Sequence, residues 1–230
     1  MIKRKERQKK IAHRLAKSTR KSTPRLAKRA ADGTLPYPFM DKVRIGIIGM
    51  GNMGLPMTDN LRKNGFTVTG YDISADVVKA ATEKGTAMSS SISDAVKDAD
   101  YVVTCLPETK HVEGVLKQEG GIFESVKKGA LICDVSTISP RASVDFYKEA
   151  KERGSTFLDT PMSGGTNGAI AGTLTFMVGG EKEEFERSKE VLSGMGANIF
   201  HCGGPGTGGI AKICNNLMLG INMMSCAEGM

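Results

Sequence analysis

An apolar strand pattern that runs directly into a glycine-rich turn limits the folds open to this chain. Residues 43–48 read Val-Arg-Ile-Gly-Ile-Ile, and a helix pattern follows over residues 53–64. The first glycine of such a turn permits a tight bend, the second lets the backbone approach a pyrophosphate, and the third lets helix and strand pack closely. We therefore predict a dinucleotide-binding turn made of Gly49, Met50, Gly51, Asn52, Met53 and Gly54.

A second strand pattern ends at an acidic residue at the spacing that this turn requires. Residues 66–71 lead to Asp72, twenty-one residues after Gly51. In dinucleotide-binding folds a carboxylate at this place accepts hydrogen bonds from the adenosine ribose. Residues 73–75 contain no arginine to hold a 2′-phosphate. Asp72 therefore predicts NAD as the cofactor, with NADP less favoured.

Strand and helix patterns alternate along residues 41–204 in the order that builds a parallel sheet. The expected fold is α/β, a Rossmann-type, doubly wound, mainly parallel sheet. Residues 205–230 read as one apolar helix, the first long helix of an all-α domain that is incomplete in this sequence. After the first two strands we predict strands at 86–88, 101–106, 130–135, 156–158, 173–178 and 198–201, and helices at 76–84, 93–97, 110–117, 140–154 and 181–194.

Polar or glycine-rich segments follow three of these strands, at the edge where such sheets bind ligands. Leu106 and Pro107 end one strand, and Ser136 and Thr137 follow the next. Ser139 precedes Pro140 and is expected to cap the helix that begins there. The segment 159–165, Asp-Thr-Pro-Met-Ser-Gly-Gly, supplies a hydroxyl and exposed backbone N–H groups, which suit a carboxylate. Its predicted anion-binding residues are Ser163, Gly164 and Gly165.

Two polar residues lie four positions apart near the start of the last helix, Lys212 and Asn216. This spacing places both on one face of a helix. An amine and an amide on one face can bind a substrate oxygen and exchange its proton if the lysine is tuned by its surroundings. A solvated surface pair is the alternative explanation of the same spacing.

The positive charge of the chain is concentrated in its first 40 residues. They contain thirteen Lys or Arg and two acidic residues, a net charge of +11. The whole chain has a net charge of +7, so residues 41–230 have a net charge of 7 − 11 = −4. The body therefore shows no charge signature of a nucleic-acid partner. Residues 1–40 are expected to be disordered, as a mitochondrial transit peptide, as a nuclear or nucleic-acid-binding arm, or as an extension ahead of a translation start at Met40.

The five cysteines indicate neither a disulfide framework nor a metal site. They show no C-x-x-C pairing and no histidine at ligand spacing, so we interpret them as small core residues. No apolar run reaches the eighteen or so residues that a membrane-crossing helix needs, so no membrane partner is expected.

Together these segments resemble the β-hydroxyacid dehydrogenases, in the branch that acts on 3-hydroxyisobutyrate. Residues 49–57 are similar to the family's cofactor turn, residues 136–140 to a second cofactor segment, residues 159–165 to the substrate loop, and residues 212–216 to the catalytic helix. The four motifs occur in the family's order and extend over nearly all of residues 42–230. The family continues into a longer helical domain, so the chain is expected to be a fragment of a homo-oligomeric enzyme.

The resemblance implies a role for each matching residue. It implies general acid/base chemistry at Lys212, a hold on the reacting oxygen at Asn216, and a substrate carboxylate bound at residues 163–165. Further cofactor contacts are implied at Leu106, Pro107, His111 and Thr137, in addition to those of the turn and Asp72.

The implied reaction is transfer of hydride from 3-hydroxyisobutyrate to NAD, which yields methylmalonate semialdehyde in the mitochondrial matrix or, alternatively, the cytoplasm. Two other functions remain open from the sequence. One is an NADPH-dependent glyoxylate or succinate-semialdehyde reductase, which Asp72 disfavours. The other is a non-catalytic dinucleotide-binding module with a basic nucleic-acid-binding arm, which Lys212 disfavours.

Overall fold

The structure, a computed structural model, describes residues 43–230. The strands of this part of the chain form one sheet. They are β1 Arg44–Ile48, β2 Thr67–Tyr71, β3 Ala87–Met88, β4 Tyr101–Thr104, β5 Leu131–Asp134, β6 Thr156–Asp159, β7 Met162–Ser163, β8 Leu174–Gly179 and β9 Gly196–Gly203. The helices are α1 Gly54–Lys63, α2 Ala75–Glu83, α3 Ile92–Val96, α4 Thr109–Lys117, α5 Ile122–Ser125, α6 Pro140–Glu152, α7 Gly165–Ala171, α8 Lys182–Leu192 and α9 Thr207–Glu228.

The strand order is β3-β2-β1-β4-β5-β6, and these six strands are parallel. Strand β8 adds antiparallel to β6 and to the short β7, and β9 pairs parallel to β8. The chain proceeds from β1 outward through β2 and β3, then returns to the other side of β1 with β4. This strand order confirms the predicted fold class. Doubly wound sheets bind ligands at such a reversal.

Both faces of the sheet are buried. Successive side chains of a strand point to opposite faces, so the central strands contribute to two apolar clusters. In β5, Leu131 and Cys133 pack in one apolar cluster, whereas Ile132 packs in the other. In β4, Val103 belongs to the first cluster and Val102 to the second. The sheet is therefore the middle layer of three, and its buried strands read as nearly continuous apolar runs in the sequence.

The carboxyl ends of four neighbouring strands lie on one level. Ile48 of β1 pairs with Thr104 of β4, Thr104 with Asp134 of β5, and Asp134 with Asp159 of β6. The segments that leave these strands therefore begin side by side at one edge of the sheet.

Three short elements were missing from the sequence prediction, namely α5, β7 and α7. The expected cap at Ser139 is also only partly right. Ser139 holds the N-cap position of α6, but its side chain makes no capping hydrogen bond, and its N–H donates to Thr109 Oγ1 over 3.1 Å. Pro140, whose ring fixes φ, opens that helix instead. The predictions for residues 1–40 lie outside the described residues.

The last helix, α9, exposes apolar side chains along most of its length. Ile210, Ile213, Leu217, Ile221 and Met224 are between 47% and 71% exposed. The division of the chain into residues 41–204 and 205–230 remains a prediction. Over residues 43–230, helices that combine the length and the apolarity needed to span a bilayer are not found.

Candidate active site

An open cleft of about 690 Å³ lies at the carboxyl edge of the sheet, between the glycine turn and α9. The segments that follow β1, β4, β5 and β6 contribute to its walls, as the sheet order requires. The sequence-predicted residues that line it are Gly51, Asn52, Met53, Gly54, Leu106, Pro107, Thr137, Ser163, Gly164, Gly165, Lys212 and Asn216. Residues from five separate segments of the chain thus meet in one cavity.

The three glycines of the turn differ in their steric surroundings. Gly49 has φ +90°, and a Cβ there would lie 2.8 Å from Leu106 Cδ2. A Cβ on Gly54 would overlap the carbonyl oxygen of Gly49, so this glycine lets α1 start against the turn. A Cβ on Gly51 would meet no atom within 4 Å. Since nothing in the described chain demands a glycine at position 51, its surface is free for a phosphate group to approach.

Asp72 is fixed beside this turn by two backbone groups. Met50 N–H donates to Oδ2 over 2.7 Å, and Ser74 N–H donates to Oδ1 over 2.8 Å. The carboxylate is half-buried and lies at the carboxyl end of β2, next to β1. It is therefore held in one orientation, with acceptor capacity left for ribose hydroxyls.

Four of the predicted cofactor contacts do not line the cleft, namely Gly49, Met50, Asp72 and His111. The Met50 side chain is fully buried in the apolar core, and its sulfur packs against Gly70. The contact of Met50 with the cofactor therefore stays a prediction for its backbone alone. His111 lies exposed on α4 and is absent from the cleft lining, so its implied cofactor contact gains no support.

A buried hydrogen-bond chain holds the segments after β4 and β5 together. Asp134 Oδ1 accepts from Thr104 Oγ1 over 2.7 Å and from Ser136 N–H over 3.2 Å. Ser136 Oγ in turn accepts from Leu106 N–H over 2.9 Å. Burial raises the pKa of Asp134 to about 6, although its hydrogen bonds with Ser136 and Thr104 oppose the rise. The cleft walls at residues 105–107 and 135–137 are thereby joined.

The predicted anion-binding segment is more ordered than a loop. Met162 and Ser163 form β7 against Phe176 and Thr175 of β8. Gly164, with φ +133°, occupies the N-cap position of α7, and Gly165, with φ +61°, is its first residue. The hydroxyl and the two glycines therefore face the cleft from a strand end and a helix start.

Lys212 and Asn216 line the cleft from one face of α9, and Ser163 lines it from β7. Burial lowers the pKa of Lys212 below the usual value of 10.5. An amine with a lowered pKa exchanges protons near neutral pH more readily than an exposed lysine does. Lys212 is half-buried and Asn216 is exposed, so burial distinguishes only Lys212 from a solvated surface residue.

The family comparison agrees with this geometry. Residues 44–204 match the model of the NAD binding domain of 6-phosphogluconate dehydrogenase. The chain belongs to this family of NAD-binding domains. The match covers the glycine turn, Asp72 and the three segments at the carboxyl edge, so NAD is the cofactor of this fold.

Two curated relatives are similar to this chain over most of its length. The mitochondrial 3-hydroxyisobutyrate dehydrogenase of Mus musculus is 44% identical over 189 residues, which cover 82% of this chain and 56% of the relative. An NAD-dependent L-serine dehydrogenase of Pseudomonas aeruginosa is 42% identical over 187 residues, which cover 81% of this chain and 63% of the relative.

Among solved structures, the Mycobacterium tuberculosis 3-hydroxyisobutyrate dehydrogenase with L-serine superposes with a TM-score of 0.78 at 37% identity. The superposition covers 81% of this chain and 63% of that one. The chain thus spans 56 to 63% of the length of these three relatives.

Five lining residues were not among the predicted contacts: Cys105, Val135, Ser136, which was predicted only as a strand-end residue, Met162 and Leu219. Four of them adjoin predicted residues in the chain. Leu219 lies seven positions after Lys212, and this spacing on a helix would have identified it, because positions i, i+4 and i+7 share a face. Groups of three or more His, Cys, Asp or Glu placed to hold a metal ion do not occur between residues 43 and 230.

We expect Asp72→Ala to weaken NAD binding about tenfold or more, because a hydrogen bond to a charged group contributes about 1.5–3 kcal/mol. Binding of NADP should weaken less or improve, since the variant removes a negative charge near the 2′-phosphate. Isothermal titration calorimetry with both dinucleotides measures the two affinities. Asp76→Ala, an exposed aspartate in the first turn of α2, is the matched control. An unchanged NAD affinity in a folded Asp72→Ala protein would contradict the assignment.

Proposed function

We propose that the protein to which this chain belongs oxidises a small 3-hydroxy acid with NAD, with Lys212 as the general base. The observation that supports this most directly is the common cleft of Lys212, Asn216, Ser163 and the glycine turn. Proton transfer, oxygen binding, carboxylate binding and pyrophosphate binding each have a suitable group there.

In the proposed reaction each group has a separate task. Bound NAD supplies the acceptor for the hydride that leaves the alcohol carbon. The Lys212 amine takes the hydroxyl proton, and the Asn216 amide donates a hydrogen bond to the same oxygen. Ser163 Oγ and the N–H groups of Gly164 and Gly165 bind the substrate carboxylate. Anchoring the substrate at both ends supplies the orientation that converts an encounter into a reaction.

The substrate class follows from chemistry that two relatives share. The relatives are named for 3-hydroxyisobutyrate and for L-serine. Both compounds contain a hydroxymethyl group on a carbon that also bears a carboxylate, and they differ in a methyl or an ammonium group on that carbon. We therefore propose this common unit as the substrate, with 3-hydroxyisobutyrate as the preferred acid and methylmalonate semialdehyde as its product.

Steady-state kinetics on the purified protein tests the proposed function. We expect turnover of 3-hydroxyisobutyrate and L-serine with NAD to exceed reduction of glyoxylate with NADPH. The fixed carboxylate of Asp72 supports this order because it disfavours a 2′-phosphate. The reverse order would support the reductase alternative instead.

Lys212→Ala should abolish turnover and leave NAD affinity nearly unchanged, because the amine contacts the reacting oxygen and the dinucleotide turn is separate. General acid/base groups typically contribute about 10²- to 10⁴-fold. Initial rates and calorimetry on the same preparation measure both quantities. Lys182→Ala, an exposed lysine at the start of α8, is the control and should keep full kcat. Substantial kcat in Lys212→Ala would remove Lys212 from the mechanism.

The pH dependence of oxidation should report the lowered pKa of Lys212. A general base acts only when neutral, so kcat/KM should rise with pH and level off above an apparent pKa below 10.5. The reverse reaction needs the protonated amine, so its rate should fall as pH rises through the same pKa. Lys182→Ala should keep this profile. A flat profile from neutral pH to pH 10.5 would argue against an amine as the base.

We infer that residues 1–40 direct the protein to mitochondria. Their excess of basic over acidic residues suits a targeting segment, and the mouse relative is named as mitochondrial. We further propose that the whole protein is a homo-oligomer, as the resemblance to the β-hydroxyacid dehydrogenases implies.

Fusion of residues 1–40 to a fluorescent protein tests the location. We expect mitochondrial fluorescence, because a basic segment with few acids is drawn into that organelle. A fusion in which the basic residues of 3–10 are replaced by glutamine is the control and should remain cytoplasmic. Nuclear fluorescence of the unmodified fusion would favour the nucleic-acid-binding alternative.

A further inference from the structure

Asp159, the last residue of β6, is a buried carboxylate with both oxygens bonded to the start of α9. Oδ1 accepts from Gly206 N–H over 2.8 Å, and Oδ2 accepts from Gly209 N–H over 2.8 Å. The side chain is 3% exposed. A strand end is thus tied to the helix that bears Lys212 and Asn216.

These two hydrogen bonds act as the N-terminal cap of α9. The N-cap position of α9 is Gly206, which has φ +86° and no side chain to bond the free N–H groups of the first turn. The first N–H groups of a helix have no partner within the helix, and its N-terminus favours negative charge. Asp159 supplies both the acceptors and the charge from a strand 47 residues earlier.

The glycines around this carboxylate allow the backbone to pack closely against it. A Cβ on Gly179 of β8 would lie 2.7 Å from Asp159 Oδ2. A Cβ on Gly208 would lie 2.7 Å from the Asp159 carbonyl oxygen, and one on Gly206 would lie 2.8 Å from the Pro140 carbonyl oxygen. The start of α9 is therefore pressed against β6, β8 and α6 at one defined point.

The rest of α9 has little to fix it in the described part of the chain. Its buried residues are Gly208 and Gly209, both in the first turn. Ile210 and Ile213, one turn further on, are 54% and 47% exposed. Among the described residues, those that hold the first turn therefore do most to fix the direction of the helix and the place of Lys212.

Asp159 also begins the segment that leads to the substrate loop. Thr160, the next residue, donates from its N–H and its hydroxyl to the Asp134 carbonyl oxygen, over 2.8 and 3.0 Å. Ser163 follows four positions after Asp159, and Lys212 follows three positions after Gly209. One buried side chain thus lies at the junction of the segments that bear Ser163 and Lys212.

We propose that Asp159 is a positioning residue that fixes the Lys212 amine relative to Ser163. This inference rests on the proposed roles of Lys212 and Ser163. Asp159 does not line the cleft and touches no reacting atom in the proposed reaction. Its effect is to set the distance between the base and the bound carboxylate.

Three variants grade the loss of the two bonds. Asp159→Asn keeps one acceptor oxygen and loses the charge, whereas Asp159→Ala loses both acceptors. Gly179→Ala keeps Asp159 and forces its carboxylate away from the helix start. We expect kcat to fall least in Asp159→Asn and most, by about 100-fold, in Asp159→Ala and Gly179→Ala, since a displacement of about 1 Å is enough for a loss of this size. The affinity for NAD should change less than twofold, because the glycine turn is intact.

Hydrogen exchange tests the proposal without any turnover. Amides of residues 210–216 should exchange about tenfold faster in Asp159→Ala, since the capped first turn opens more often. Amides of β1 and β4 should exchange as in the unchanged protein. Faster exchange throughout the domain would indicate general destabilisation and would overturn the positioning role.

The pKa of Lys212 distinguishes an effect of Asp159 on the position of α9 from an effect of its charge. If Asp159 acted on Lys212 through its negative charge alone, its removal would lower the pKa of the Lys212 amine. Release of α9 would instead expose Lys212 and raise its pKa toward the usual 10.5, since burial is what lowers it. Titration of isotope-labelled dimethyl-Lys212 by NMR measures the direction in which this pKa changes. A lower pKa of Lys212 in the Asp159 variants would overturn the proposal.

Val191→Ala is the stability control. Val191 is fully buried in α8 and lies outside the cleft lining, so its truncation destabilises the domain without touching α9. When its melting temperature matches that of the Asp159 variants, Val191→Ala should keep the kcat of the unchanged protein. Its amides at residues 210–216 should also exchange at the rate of the unchanged protein. If the unchanged protein oxidises no 3-hydroxy acid, the proposed function fails, while exchange and the Lys212 titration still decide whether Asp159 positions α9.

Discussion

The parallel alignment of four strands is the constraint on which the candidate site depends. Because β1, β4, β5 and β6 end on one row of paired residues, Ile48, Thr104, Asp134 and Asp159, the segments that follow them start at the same height. Neighbouring strands are about 4.8 Å apart, so this row is about 14 Å long. A dinucleotide end and a small acid placed side by side need a surface of this order. The register therefore sets the dimensions of the site before any functional side chain is considered.

The sequence predicts the elements whose signals are local. The strand, turn and helix around the glycine motif depend on glycines that the turn itself requires, and these appear as a motif in the chain. Helix α7 gives no such signal, because its sequence Gly-Thr-Asn-Gly-Ala-Ile-Ala has weak helix propensity. It is held by distant contacts, among them the Asn60 amide, which donates to the Ala169 carbonyl oxygen over 2.6 Å. Strand β7 likewise exists through its pairing with β8, which no local pattern reveals.

The same distinction applies within the candidate site. The motif around residues 49–54 indicates which backbone approaches a ligand, but it does not tell which side chains face that ligand. Met50 belongs to the motif, yet its side chain completes the core and its N–H orients Asp72. Ser136 was recognised as a strand-end residue, whereas its bond from Leu106 N–H, which joins two cleft walls, becomes visible only in three dimensions. Motifs thus identify positions, and burial then decides whether a position acts through its side chain or through its backbone.

The two aspartates of the strand-end row differ in what compensates their burial. They occupy paired positions on β5 and β6, and the charge of Asp159 contributes to the raised pKa of Asp134. Two neighbouring buried carboxylates disfavour simultaneous ionisation, so a proton binds where it costs least. Asp134 Oδ2 has no hydrogen-bond partner among the described residues, whereas both oxygens of Asp159 accept from α9. A helix N-terminus stabilises negative charge. The charge is therefore favoured on Asp159, where it holds the helix of the proposed base, and the proton on Asp134, where a neutral carboxyl still accepts from Thr104 and Ser136.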